Sequence, residues 1–319
     1  MYAGVVNVWG QAPQYSTIDL PEPTSTQVRV KVLAASVHNL VRLRAAGKHF
    51  SVAGKTPPHV PGTDGVGTVK ETGELVYFNS FTTPTGSFAE EINVEKSDIF
   101  PLSKNADPVE VAVMVNPTVG SWMALTARAG LVLGSNIKVA IIGATGVSGQ
   151  AAVQVSKAFG AVEIVTIGKA GAKLEKTKEL GATATITLAM KLEETDFSAA
   201  ADVDVVLDFL WGDVSTAALP SMISKRKNKT QRLTWIQIGE LAGANVPIPA
   251  TLLRMANLVL LGSAPGSWTF GDLNQQLPAM LNAITVHGLK TDFTVKKLAE
   301  IESWWNEQGG PRLVMKPSW

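Results

Sequence analysis

The residues most clearly arranged for chemistry are three glycines. Gly143, Gly146 and Gly149 follow directly on the apolar run Val139–Ile142, and residues 150–159 then carry a helical pattern. Strand, glycine turn and helix start in that order suit the pyrophosphate of a dinucleotide. Glycine lets the backbone turn tightly and come close, and the helix start offers unpaired N–H groups at the positive end of its dipole. Gly143, Ala144, Thr145, Gly146, Val147 and Ser148 are therefore candidate cofactor contacts. Thr145 stands where the strict dinucleotide fingerprint has its second glycine.

The next apolar run, Val162–Ile167, ends at Gly168-Lys169, with Lys173 one turn further. A free ribose 2′-hydroxyl is usually held by a carboxylate about 20 residues past the glycines, and no acid stands at this tip. Glycine makes room for a 2′-phosphate and one or two lysines can bond it, which points to NADPH. The competing reading, a solvated helix face, is kept for Lys176 and Lys178. Phe209, Leu210 and Gly239, at the ends of later strands, complete the candidate cofactor contacts. No acid follows the second strand to grip a ribose as a methyltransferase would, and no Gly-Lys-Ser/Thr phosphate loop occurs.

Around this loop the chain alternates short β-branched runs with helix-period segments, the pattern of a parallel sheet with crossover helices. Strands are expected at 137–142, 162–167, 184–188, 203–207, 233–238 and 258–261. The first hundred residues differ. Short alternating strands at 28–33, 65–69, 75–77 and 89–94 are broken by Pro57, Pro58, Pro61 and Gly62, which suggests an irregular β-barrel. Helices are expected at 108–114 and 119–129, near 270–287 and at 295–308, and a last strand at 312–315 that rejoins the first domain.

Composition sets the bounds. With 45% hydrophobic and 17% charged residues and a mean hydropathy of +0.15, the chain can bury a large core. A formal charge of +1 gives no global attraction to nucleic acid or an acidic membrane. No apolar run approaches the about 20 residues that span a bilayer, and the N-terminus lacks a secretory pattern. The expectation is a cytoplasmic protein. It has no cysteine, which removes disulfides and thiolate-ligated metal sites.

Three segments together carry a resemblance: His59-Val-Pro-Gly-Thr-Asp-Gly-Val-Gly-Thr-Val69, Gly86-Ser-Phe-Ala-Glu90 and the loop Gly143–Gly149. In order and spacing they resemble the medium-chain dehydrogenase/reductase superfamily, in its zinc-free quinone oxidoreductase-like branch. Asn116-Pro117 with Met123-Ala-Leu125 is similar to a segment of the related enoyl reductases. The resemblance implies a GroES-like β-barrel catalytic domain, residues 1–115 and 264–319, and a six-stranded doubly wound Rossmann domain, residues 116–263. It also implies a homodimer joined through the exposed edge strand at 258–261.

The zinc alcohol dehydrogenases of that superfamily place Cys where this chain has His38, and Gly-His-Glu where it has Gly62-Thr63-Asp64. Only His38 and Asp64 survive as ligand types, short of the three that catalytic zinc needs, so no metal is expected. The reaction implied is hydride transfer from NADPH to an electron-poor small molecule: a quinone, or the C=C of an α,β-unsaturated carbonyl. His49 stands where the enoyl reductases carry a proton-donating tyrosine. His38 and Asn116 are the other catalytic candidates, with packing (His38) or helix capping (Asn116) as their alternatives. Trp268 and Phe270 follow a glycine turn where relatives line their substrate cleft, and could equally be core; Trp304, Trp305 and Trp319 are assigned to packing or an interface.

One run points elsewhere. Residues 225–232, KRKNKTQR, are rich in Lys and Arg, which raises a non-catalytic NADPH-binding redox sensor or nucleic-acid-binding module as the alternative. The near-neutral chain and the absence of interleaved aromatics favour a solvated loop, with no nucleic-acid or membrane partner.

Overall fold

The computed structural model describes residues 1–317; Trp319 lies outside them. Two compact units emerge: residues 1–116 with 284–286 and 290 onward, and residues 117–283 with 287–289. Residues 264–283, after the last strand of the parallel sheet, group with the second unit.

The first unit begins with a two-stranded antiparallel ribbon, β1 (Tyr2–Val5) and β2 (Gln14–Thr17), which the sequence reading did not identify. A long β3 (Gln27–Ser36) leads into α1 (Asn39–Ala45), followed by β4 (Asp64–Val69), β5 (Leu75–Asn79), β6 (Glu91–Glu95) and β7 (Ile99–Pro101). β3 is the hub, pairing antiparallel with both β4 and β6, and a register shift between Val32 and Ala34 bends it where it approaches His38. The motifs at 59–69 and 86–90 lie against each other. Gly62 has φ +108, and a Cβ on Gly86 would sit 2.2 Å from the Pro61 carbonyl oxygen, so both must be glycine.

α2 (Pro108–Met123) is continuous through Asn116-Pro117 and ends in a π-helical turn at Ala124–Arg128. This corrects the expected break between 114 and 119. Proline removes one helix hydrogen bond and disfavours helix in the residue before it, but burial of Val111–Val115 at 1% exposure or less holds the helix through it.

The second unit runs β8 (Lys138–Ile142), α3 (Val147–Ala158), β9 (Glu163–Gly168), α4 (Ala172–Leu180), β10 (Ala184–Thr187), β11 (Val205–Asp208), α5 (Gly212–Lys225), β12 (Leu233–Gln237), α6 (Ala250–Met255), β13 (Leu258–Gly262) and α7 (Phe270–Val286). All six strands are parallel, in the order β10-β9-β8-β11-β12-β13, the doubly wound arrangement whose switch point lies between β8 and β11. The expected strands agree within two residues. Continuous apolar runs such as Val139–Ile142 form because helices cover both faces.

The chain then returns to the first unit as β14 (Phe293–Lys297), α8 (Ile301–Trp304) and β15 (Arg312–Lys316). β15 pairs with β3, as expected. The helix expected at 295–308 is corrected: residues 293–297 form a strand parallel to β15, and only a short helix follows. Ladder pairing with β15 outweighs local helix preference in an alternating segment. Trp304 and Trp305 are buried in this unit's core, beside Phe88 and Ile301.

Candidate active site

The glycine loop is built as its sequence suggests. Gly143 has φ +89, and its N–H and that of Ala144 both donate to the Ile167 carbonyl, which ties the turn to β9. A Cβ on Gly149 would lie 2.3 Å from the Gly143 oxygen, so this glycine is what lets α3 approach the turn. Gly146 caps α3 with no side-chain hydrogen bond, while Gly146 itself is exposed and Thr145, Val147 and Ser148 are half-buried. An uncapped helix start at the switch point fits a pyrophosphate.

Beyond β9, Lys169 and Lys173 are exposed, and neither has a hydrogen-bond or ion-pair partner among the described residues. Lys178 is engaged with Glu175 at 2.6 Å. Two unpaired cations thus stand past the tip where a 2′-phosphate would be read.

Phe209, Leu210 and Gly239 do come together with the loop: a Cβ on Gly143 would meet Leu210 and Phe209, and one on Gly239 would meet the Phe209 backbone. The residue that organises them was missed. Asp208, wholly buried at the end of β11, accepts from the N–H groups of Leu210 (3.0 Å) and Trp211 (2.8 Å), from Ser215 Oγ (2.5 Å) and from Trp235 Nε1 (3.0 Å). Those bonds hold Trp211 at φ +56, an uncommon conformation for a non-glycine residue. Its signal was an acid closing an otherwise apolar strand, Val-Val-Leu-Asp. A cavity of about 440 Å³ lies beside this loop, lined by Trp211, Gln237, Glu240, Ile248, Leu261 and Gly262 at the carboxyl ends of β12 and β13.

In the first unit, His38 sits directly before α1, buried to 5% exposure, with Nε2 3.3 Å from Thr63 Oγ1 and 3.4 Å from Asp64 Oδ1. Thr63 Oγ1 donates to Asp64 at 2.9 Å, so its lone pair must accept from His38, which places the ring proton on Nε2. Nδ1 is left buried without a partner, at a cost of about 1–3 kcal/mol. Burial, with a smaller push from Arg312, lowers the His38 pKa despite the opposing pull of Asp64, and the ring is neutral at pH 7. Tyr77 Oη donates to the other Asp64 oxygen at 3.3 Å, and burial raises its pKa well above the usual phenol value.

Arg312 and Tyr77 are the members sequence reasoning missed. Arg312 Nη1 donates to Asn116 Oδ1 at 3.0 Å, and burial brings its pKa down to about 10 against the attraction of Asp64. The only sequence sign was a charge opening the apolar run Leu313–Met315. These residues form one polar cluster where zinc relatives would have ligands. Its imidazole and carboxylate are spent on each other, and among the described residues no group of three His, Cys, Asp or Glu side chains could hold a metal ion. The ligand set does not fit zinc.

His49 is not in that cluster. It precedes a single turn at Phe50–Val52, its Nδ1 accepts the Ser51 N–H at 3.2 Å, and its ring lies 4.2 Å from that of Phe50. Desolvation and Arg44 lower its pKa. Trp268 is buried, its indole N–H on Ser263 Oγ at 3.3 Å, which matches the packing alternative; Phe270 is 38% exposed at the start of α7. Three members of the basic run are engaged within the fold: Arg226 is buried and donates to the carbonyls of Ala201 and Val203, Lys225 pairs with Asp196 and Lys227 with Asp202. No helix among the described residues is long and apolar enough to cross a membrane.

No protein-family model matches the chain. A curated protein of Emericella nidulans, described as a probable NADPH-dependent quinone reductase, is 28% identical over 99% of this chain and 100% of its own length. Among solved structures, a quinone oxidoreductase of Thermus thermophilus, also determined with NADPH, superposes with a TM-score of 0.72 at 23% identity over 99% of this chain and 100% of its own. A 2-haloacrylate reductase does so at 0.77, with 18% identity over the full length of both chains. Along its whole length, and in pairing a β-rich unit with a doubly wound parallel sheet, the chain is similar to these quinone reductases and shares their fold.

Proposed function

We propose that this protein is an NADPH-dependent oxidoreductase that delivers hydride to a quinone or to the C=C of an α,β-unsaturated carbonyl without zinc. The observation that carries the reading is the hydrogen-bonded group His38–Thr63–Asp64, with the pair Arg312–Asn116 coupled to it through the charge of Arg312, where no group of three ligands for a Lewis-acid metal occurs among the described residues. An acceptor that is already electron-poor needs no such metal. The quinone reductase relative supports the quinone, and the 2-haloacrylate reductase neighbour names an activated C=C.

NADPH, when bound, supplies the hydride. Gly143–Ser148 and the α3 N-terminus hold its pyrophosphate, and Lys169 and Lys173 its 2′-phosphate, both lysines being without partners among the described residues. His49 serves as proton donor toward the reduced substrate through Nε2, the ring nitrogen that the Ser51 N–H does not occupy. We place the protein in the cytoplasm as a homodimer acting on a small molecule.

The test is NADPH oxidation against a panel of quinones and enones in chelator-treated buffer. Turnover of at least one acceptor, with NADPH preferred to NADH, is expected. Cofactor binding with no turnover of any acceptor would leave a binding module instead.

A further inference from the structure

We propose that Asn116 is the hydrogen-bond donor to the acceptor's carbonyl oxygen, and that Arg312 is the positioning residue that aims it. The inference rests on the reductase reading above and adds a pair of residues to it.

The argument turns on which groups can donate. A guanidinium has five N–H donors and no acceptor. The 3.0 Å contact from Arg312 Nη1 can therefore only be made to the amide oxygen of Asn116, and the amide cannot flip. Its NH₂ group must point the other way. That group has no partner among the described residues, and it is absent from the buried unpartnered side-chain atoms, so it remains reachable on a half-buried side chain. Among the neutral members of the cluster, Thr63 and Tyr77 both donate to Asp64, and His38 directs its only proton at Thr63 and Asp64. Apart from the remaining N–H groups of Arg312 itself, Asn116 is the side chain of the cluster that offers an uncommitted donor among the described residues, and a cation on its oxygen polarises its N–H bonds further.

Such a donor suits the reaction. A hydride brings two electrons to the quinone ring or to the β-carbon; the C=C or ring π bond shifts, and an electron pair moves onto the carbonyl oxygen. That oxygen becomes a phenolate or enolate until a proton, delivered from solvent or His49, completes the product. Fixed donors aimed at an oxygen that gains charge commonly contribute a factor of about 10²–10³ in rate each. Arg312, recruited from the last strand, holds the amide by its oxygen and leaves the charge-stabilising contact to the NH₂ group.

The decisive variant is Asn116→Asp. It keeps an oxygen facing Arg312, so the internal contact and packing survive, but replaces the outward NH₂ by a second oxygen. We expect a thermal midpoint close to the parent's, a kcat lower by about 10²–10³ on a quinone or enone that the parent reduces, and KM for NADPH within twofold. A second readout needs no turnover. Without cofactor, 4-nitrophenolate as a redox-inert oxyanion should bind the parent at least tenfold more tightly than Asn116→Asp. Arg312→Lys, which still donates, should retain more kcat than Arg312→Met. If Asn116→Asp keeps kcat and phenolate affinity within twofold, the proposal is overturned, whatever Arg312→Met does to folding. A parent protein that reduces no acceptor would instead overturn the reductase reading, and the phenolate comparison would still judge the Asn116 donor by itself.

Discussion

Thr145 occupies the space that a side chain at Gly168 would need: a Cβ built on Gly168 would lie 2.7 Å from Thr145 Cγ2. The glycine at the β9 tip is thus explained by packing against the nucleotide loop, where the sequence reading saw room for a phosphate. The two explanations separate in binding measurements. Gly168→Ala should displace Thr145 and weaken NADPH and NADH together by calorimetry, whereas Lys173→Ala should weaken NADPH alone, by about tenfold for the loss of one charge-assisted bond of about 1.5 kcal/mol. Equal loss of both cofactors in Lys173→Ala would remove the lysine from phosphate recognition.

His49→Ala should reduce kcat on an enone by about 10²–10⁴, the usual range for loss of a general acid, and affect a quinone less, because a reduced quinone can take its protons from water. The ring's lowered pKa adds a pH signature. If the imidazolium is the proton source, enone turnover falls as pH rises, with an inflection below 6.5, and the inflection disappears in the variant. An unchanged profile in His49→Ala would transfer the role to solvent.

Elemental analysis of the purified protein should find zinc far below one per chain, and chelators should leave activity intact, because His38 and Asp64 bond each other and no third ligand joins them among the described residues. One zinc per chain, with activity lost on chelation, would contradict this.

Acid should destabilise the fold before the carboxylates titrate. Burial, with Arg44 and Lys55 nearby, lowers the His59 pKa from 6.5 to about 4, and His38 is also lowered. Below pH 6.5 the unfolded chain therefore binds more protons than the folded one. The stability from burying these neutral rings is fully present above pH 6.5 and is lost progressively as pH falls, for His59 down to about 4. Urea midpoints at pH 7.5, 6 and 5 should fall in that order, and His59→Gln should flatten the decline.

β13 pairs only with β12 among the described strands, and its residues Leu258–Leu261 are half-buried apolar side chains at a sheet edge. An edge of that kind invites pairing with a second copy. Light scattering at micromolar concentration should give the mass of two 33.8 kDa chains, and a single-chain mass would refute the dimer.

Much of the molecule was legible in the chain itself because its signals are local. Gly143 and Gly149 encode a turn and a close helix approach, and the β-branched runs from Val139 onward encode strands covered on both faces, so the nucleotide unit could be read almost strand by strand. The first unit was less legible. Several of its strands are only three to five residues long, so β1, β2 and β14 acquire their identity only from the partners they pair with, and the segment at 295–297 took the strand state for that reason. What tertiary structure alone decided is the polar cluster. His38, Thr63, Asp64, Tyr77, Asn116 and Arg312 come from five separate stretches of chain, and Asn116 and Arg312 stand 196 residues apart. No local pattern links them. Only the pairing of β15 with β3, and the burial that forces each donor to find an acceptor, sets which way the Asn116 amide faces and which nitrogen of His38 carries its proton.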